Sequence, residues 1–142
     1  DAFFKLVLEN GFAHDSIKTD NSKSLNNLKD PRDGKSYRLV TIDAQIWMLD
    51  NLNFKTQTNS WCYEDSEHNC NEFGRLYSWN AAQKACPNGW RIPTENEWNS
   101  LNDSIDKIFL QAGGFRNSKG IYELLGKRAD YWTSDDIGDK GK

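Results

Sequence analysis

The chain has 142 residues, a formal net charge of −3 and a sequence pI near 5.4, which fits one compact domain. This balance excludes a general nucleic-acid binder, because phosphate neutralisation requires clustered lysine and arginine side chains, and the sequence contains no such cluster. No apolar run approaches the roughly 20 residues that cross a bilayer, so we expect no membrane insertion within this chain. Because the sequence opens on Asp1, we interpret it as a mature or excised fragment.

The first third of the chain predicts an N-terminal arm followed by a β-hairpin. Residues 1–29 begin with the apolar patch FFKLVL and continue as polar sequence without sustained periodicity, so we interpret them as an arm or linker. The turn dipeptide Asp33-Gly34 then precedes an alternating, β-branched run over 37–42, which predicts a strand. The apolar run 46–49 predicts its hairpin partner, buried on both faces.

Two cysteines stand at the ends of a polar loop, WCYEDSEHNC, which has little apolar surface to hold it. A disulfide between Cys62 and Cys70 closes about nine residues and contributes roughly 2.5 kcal/mol on the chain-entropy model. A zinc site is the alternative, but two cysteines with only His68 nearby do not supply four ligands, so we predict no metal. Cys86 is left over, either because its partner is missing or because it is a buried free thiol.

Two helices are predicted next. Ser78 can cap a short helix whose Trp79, Ala82 and Cys86 share one face, and the Pro-Asn-Gly sequence at 87–89 ends it. The stretch RIPTENEW then encodes a second helix, because Thr94 and Glu97 form a capping box and Pro93 can contact Trp98 as a hydrophobic staple. A cap role for Glu97 argues against a catalytic acid/base pair with Glu95. The apolar side of this helix is predicted to continue through Leu101, Ile105 and Ile108.

The last 30 residues indicate short strands joined by turns. Four glycines are spaced too irregularly for a phosphate-binding loop and predict turns instead: Gly113, Gly114, Gly120 and Gly126. The run 129–136 resembles a last strand, and we expect the charged tail DDIGDKGK at 135–142 to be solvated. Its aspartates do not follow an EF-hand pattern, so we predict no calcium site.

Three blocks in order carry a family resemblance: residues 30–52, residues 73–101 and the YWTSDD sequence at 131–136. They resemble successive blocks of the Fibrobacter succinogenes major paralogous domain, a family of secreted or surface-attached bacterial proteins. The resemblance implies a domain over 30–142 and an extracellular or cell-surface location. Chains of that family commonly continue to a final strand whose cysteine pairs with the counterpart of Cys86, so we expect this domain to be truncated at its C terminus.

The RIPTENEW block also resembles the RLPTE-x-EW stretch of formylglycine-generating enzymes, whose fold is related to C-type lectin domains. This second resemblance implies an α+β domain of irregular, C-type lectin-like form. Such a domain has two helices, small antiparallel sheets and long loops.

These observations predict a noncatalytic secreted or cell-surface module, monomeric and without a cofactor, that binds a glycan or a cell-surface protein. Trp61, Tyr63 and Trp132 flank polar loops and are the candidate ligand-binding residues, whereas the tryptophans in the patterned blocks are predicted to be core: Trp47, Trp79, Trp90 and Trp98. One alternative is a structural or adhesion domain without a small ligand. A formylglycine-generating oxidoreductase is the other, but that activity uses a C-terminal pair of reactive cysteines with copper, and no cysteine follows residue 86.

Overall fold

The computed structural model of the chain describes residues 1–3, 5–8, 27–42, 45–101 and 111–135. Its architecture is mixed α+β, as the sequence predicts, with short helices and small antiparallel sheets. The strands are β1 (Val7–Leu8), β2 (Asn27–Lys29), β3 (Ser36–Ile42), β4 (Gln45–Met48), β5 (Ser60–Trp61), β6 (Leu76–Tyr77), β7 (Trp90–Arg91), β8 (Phe115–Arg116) and β9 (Tyr122–Glu123). The helices are α1 (Glu67–Phe73), α2 (Trp79–Ala85) and α3 (Glu95–Asn99).

The largest sheet has five strands in the order β2-β3-β4-β1-β7, each antiparallel to its neighbours. The predicted hairpin is confirmed, since β3 pairs with β4 with Leu39 opposite Met48. Along β3, Tyr37 and Leu39 are buried while Arg38 between them is exposed, as one-sided burial requires. In β4, three consecutive residues are buried, which confirms burial on both faces: Ile46, Trp47 and Met48.

The described residues of the predicted arm or linker contribute two of these five strands. Val7 of β1 pairs with Trp47 on one side and with Arg91 on the other, so β1 lies between β4 and β7. Phe3, Leu6 and Val7 are fully buried. The apolar patch is therefore part of the core.

The cysteine loop is more ordered than its sequence indicates. The disulfide prediction is confirmed, because Cys62 and Cys70 are bonded with an S–S distance of 2.00 Å and a Cα–Cα distance of 4.9 Å. The expectation of two helices is wrong, because α1 is a third one, which begins in this loop and ends at Phe73. Its sequence EHNCNEF lacks an apolar stripe, and only Cys70 is buried, so α1 has no periodic signature and is held through its bridge to Cys62.

Both predicted helix caps are confirmed. The Ser78 hydroxyl accepts from the Ala81 N–H at 3.2 Å, at the start of α2. At α3, the Thr94 hydroxyl accepts from the Glu97 N–H at 3.1 Å, and the Glu97 carboxylate accepts from the Thr94 N–H at 2.8 Å. Helix α3 ends at Asn99, and the predicted continuation through Ile105 and Ile108 lies outside the described residues.

The C-terminal segment wraps back onto the first residues of the chain. Strands β8 and β9 pair as a hairpin with Gly120 in its turn, in agreement with the prediction of short strands joined by turns. The run predicted as a last strand makes single bridges instead, from Tyr131 to Phe3 and from Ala129 to Gly114. Nothing in the described part of the chain is a helix long and apolar enough to cross a membrane.

Candidate functional site

Two of the three predicted ligand-binding residues, Trp61 and Tyr63, lie in one stacked array. Trp61 is half-buried, and the guanidinium of Arg116 lies over its ring at 3.8 Å from the centroid. Tyr63 is buried, with its ring centroid 5.2 Å from that of Tyr122. Arg116 also lies 5.9 Å from the Tyr122 ring, so its guanidinium joins Trp61 to the tilted Tyr63–Tyr122 pair.

Trp132 packs on a different core cluster from Tyr63. Its ring centroid is 5.5 Å from that of Trp79, and its indole N–H donates to the carbonyl of Tyr77 at 2.8 Å. A buried indole normally requires such a partner. This bond fixes the ring while the side chain stays half-buried.

Trp132 lines an open cleft of about 510 Å³, which we call the aromatic cleft. It is lined by Trp98, Tyr131 and Trp132 together with the acidic residues Glu95 and Asp130. The Asp130 carboxylate also accepts from Arg128 at 2.6 and 3.0 Å. Aromatic faces beside a few polar groups in a concave surface are typical of small-ligand sites. Sequence reasoning found Trp132 but missed the other two rings, because Trp98 has the pattern of a core residue.

The aromatic cleft is built on a rigid frame. The Trp98 ring lies 4.9 Å from Tyr131 and 5.9 Å from the buried Trp47, measured between centroids. Burial raises the pKa of Tyr131 to about 12, so its hydroxyl stays protonated at neutral pH. On the α3 side, the Glu95 backbone N–H donates to Asp135 at 2.9 Å, which joins this helix to the C-terminal segment.

A second, smaller cavity of about 240 Å³ lies beside the segment that follows β4, and we call it the asparagine pocket. Asn51 and Asn53 line it, and each is only 7% exposed. The Oδ1 atoms of both are buried without a hydrogen-bond partner among the described residues. Sequence reasoning missed this pocket, although the alternation of asparagine with leucine in DNLN after a buried strand gives a weak signal.

The amide of Asn51 is oriented by its surroundings. Its Nδ2 donates to the carbonyl of Phe73 at 2.8 Å, which identifies Oδ1 as the atom without a partner. The backbone N–H of Asn53 donates to the Tyr37 hydroxyl at 3.0 Å, and its carbonyl accepts from the Lys35 ammonium at 3.1 Å. Hydrogen bonds to Phe73, Tyr37 and Lys35 therefore fix the positions of Asn51 and Asn53 in the pocket wall.

Lys5 also lines the asparagine pocket, although it is only 1% exposed. Its ammonium donates to the carbonyl of Leu49. Desolvation lowers the pKa of Lys5 to about 7, against the opposing effect of the Asp50 carboxylate. This amine is thus charged in only part of the molecules at neutral pH.

The fold changes the acidity of two side chains that are capable of chemistry, Glu97 and Cys86. Glu97 is a cap and an ion-pair partner of Arg91, whose hydrogen bonds lower the pKa of that carboxylate to about 2. Burial raises the pKa of the Cys86 thiol to about 11, which disfavours the thiolate. Over the described ranges, no group of three or more His, Cys, Asp or Glu side chains could hold a metal ion.

Comparison with known families is consistent with the sequence blocks described above. The model of the Fibrobacter succinogenes major domain matches residues 40–110, which is half of the chain, and the chain belongs to this family. The matched range holds the end of β3 from Val40, all of β4, the disulfide and both capped helices. No curated protein and no solved structure matches the chain.

Proposed function

We propose that this chain is a noncatalytic secreted or cell-surface module that binds carbohydrate in the aromatic cleft. The observation that carries the proposal is the grouping of Trp98, Tyr131 and Trp132 with the carboxylates of Glu95 and Asp130 around one open cavity. The C–H faces of sugar rings stack on aromatic rings, and their hydroxyls donate to carboxylates. The cleft therefore offers both kinds of contact that a neutral sugar needs.

The rigidity of the cleft supports a binding role. Ring contacts and the indole hydrogen bond of Trp132 hold the aromatic side chains before any ligand arrives, so little side-chain entropy is lost on binding. A lectin-related fold and an extracellular or surface location, implied by the sequence resemblances, belong to the same proposal. The Cys62–Cys70 disulfide supports this location, because such bridges persist in oxidising compartments.

The structural or adhesion alternative is tested by the same experiment. The purified chain is screened on a glycan array, and hits are followed by titration calorimetry with the wild type and the variants Trp132→Phe, Glu95→Gln and Asp130→Asn. We expect each variant to weaken glycan binding at least about tenfold, since Trp132→Phe leaves a smaller ring to stack on and each amide replaces a charged acceptor by a neutral one. The absence of any glycan hit favours a scaffold without a small ligand.

Two control variants separate the cleft from other surfaces. Trp61→Phe alters the other predicted aromatic candidate, and Glu67→Gln removes an exposed acidic side chain from α1. Both are expected to bind glycan like the wild type. If Trp61→Phe loses glycan binding and Trp132→Phe retains it, the ligand binds at Trp61 and not in the aromatic cleft.

A further inference from the structure

The asparagine pocket contains buried acceptors whose hydrogen bonds the described protein does not supply. The Oδ1 atoms of Asn51 and Asn53 are buried, and a buried carbonyl without a donor costs free energy comparable to a lost hydrogen bond. Leucine has nearly the shape of asparagine and would remove that cost. Two such asparagines line one cavity, so an occupant that donates hydrogen bonds, either water or a ligand, would remove this cost.

The charges on the pocket wall favour an uncharged ligand. The cavity is lined by two basic residues, Lys5 and Lys35, and by two acidic residues, Asp50 and Glu72. The wall therefore has no strong net charge. A cation would meet two amines, and an anion would meet two carboxylates as well as the two unpaired carbonyl oxygens. A hydroxyl group fits both kinds of neighbour, because it donates one hydrogen bond and accepts others.

The size of the pocket limits the ligand to one small ring. Its volume of about 240 Å³ is below the range of roughly 300–1,000 Å³ that holds drug-sized ligands. Tyr37 lines the same cavity, and its hydroxyl, which accepts from the Asn53 N–H, also has one proton to donate. A single six-membered polyol ring matches both the volume and the hydrogen-bonding groups.

We propose that the asparagine pocket binds one uncharged sugar ring, whose hydroxyls donate to Oδ1 of Asn51 and of Asn53. The ring is either a free monosaccharide or the terminal residue of a glycan. This site is additional to the aromatic cleft. The two adjoin at Tyr131, which lines the cleft and whose hydroxyl accepts from Asn51 Nδ2 at 3.4 Å.

Ligand-observed saturation-transfer NMR and calorimetry test the site with glucose, galactose and N-acetylglucosamine. Glucosamine and glucuronate serve as charged counterparts of the same ring size. We expect at least one neutral sugar to bind with a Kd of about 1 mM, as suits a ligand this small, and the charged sugars to bind at least about tenfold more weakly. Methyl glycosides and short oligosaccharides form a second arm, which separates a free sugar from the end of a chain.

The variant Asn53→Leu separates binding from stability. We expect it to weaken binding at least about tenfold while its melting temperature stays equal to that of the wild type or rises, because an unpaired buried acceptor is removed. Asn80→Leu, which replaces an exposed asparagine of α2, is the matched control and should change neither binding nor specificity. In the wild type, sugar titration should shift the side-chain amide signals of Asn51 and Asn53.

Three results would overturn the assignment. They are no binding of any neutral sugar at about 50 mM, unchanged binding in Asn53→Leu, and unmoved amide signals on titration of the wild type. A monosaccharide signal lost in Trp132→Phe but kept in Asn53→Leu would place the sugar in the aromatic cleft, so this site would fail while the proposed function stood. If the wild type gives no glycan-array hit but binds a monosaccharide that Asn53→Leu weakens, the asparagine pocket would stand while the proposed function failed.

Discussion

Glu97 joins three elements of the fold through one carboxylate. It accepts from Arg91 Nη1 and Nη2 at 2.8 and 2.7 Å, and from the Gln45 side chain at 2.6 Å. It also accepts from the Thr94 N–H at 2.8 Å. Arg91 lies in β7, Gln45 in β4 and Thr94 at the start of α3, so the carboxylate ties the sheet to the helix.

These bonds make the stability of the protein sensitive to acid. The Arg91 hydrogen bonds are the main cause that lowers the pKa of Glu97 from 4.5 to about 2, and partial burial opposes them. At about 1.4 kcal/mol for each tenfold change in acidity, the ionised carboxylate stabilises the folded state by about 3 kcal/mol. Between these two pKa values the unfolded chain binds more protons than the folded one. The contribution of Glu97 is therefore complete above about pH 4.5 and is lost as the pH falls through about 2.

Urea unfolding of the wild type and Glu97→Gln at several pH values between about 7 and 2 measures this contribution. We expect Glu97→Gln to be less stable by about 2–3 kcal/mol at neutral pH, and the difference to shrink towards zero near pH 2. Comparison with the wild type cancels the acid response of other carboxylates, such as Asp30. Desolvation is the largest single effect on the pKa of Asp30 and raises it, but the hydrogen bonds and charge of Arg32, together with Lys35, outweigh it and lower that pKa. Glu95→Gln in the same helical turn is the control for helix-dipole effects. Parallel stability curves for the wild type and Glu97→Gln would refute the reasoning.

Three further predictions concern the disulfide, the glycine turns and the remaining thiol. Replacement of both Cys62 and Cys70 by alanine should lower the free energy of unfolding by about 2.5 kcal/mol in urea, and an unchanged midpoint would contradict the loop-closure argument. Gly114 and Gly126 have φ of 78° and 82°, but a Cβ at 114 would lie 2.5 Å from the Tyr63 ring while a Cβ at 126 meets nothing within 4 Å. Thermal unfolding should therefore show about 1–2 kcal/mol lost in Gly126→Ala and at least about 3 in Gly114→Ala, and equal losses would argue against the clash. Iodoacetamide should label Cys86 much more slowly in the folded than in the urea-unfolded protein at pH 8, with the folded rate rising towards a pH of about 11, and equal rates at pH 8 would contradict the raised pKa.

The local features of this protein could be predicted from the sequence because each depends on residues close together in the chain. The capping box needs only Thr94 and Glu97, and the cap of α2 needs only Ser78. The β3–β4 hairpin follows from alternation and a short connection. The disulfide between Cys62 and Cys70 closes so short a loop that its partners could be chosen by proximity.

The tertiary structure decided which distant segments meet, because their contacts leave no periodic trace in a single sequence. Nothing in FFKLVL indicates that Val7 would lie between Trp47 and Arg91, since strand order depends on packing of the whole sheet. Helix α1 forms without an apolar stripe, held through Cys70.

Both candidate sites are likewise products of the tertiary structure. The aromatic cleft brings Trp98 beside Tyr131, and the asparagine pocket brings Lys5 beside Asn51, each pair from segments far apart in the chain. The residue types were visible from the sequence, but their burial and their missing hydrogen-bond partners were not. Those properties depend on the surrounding atoms, which only the folded chain assembles.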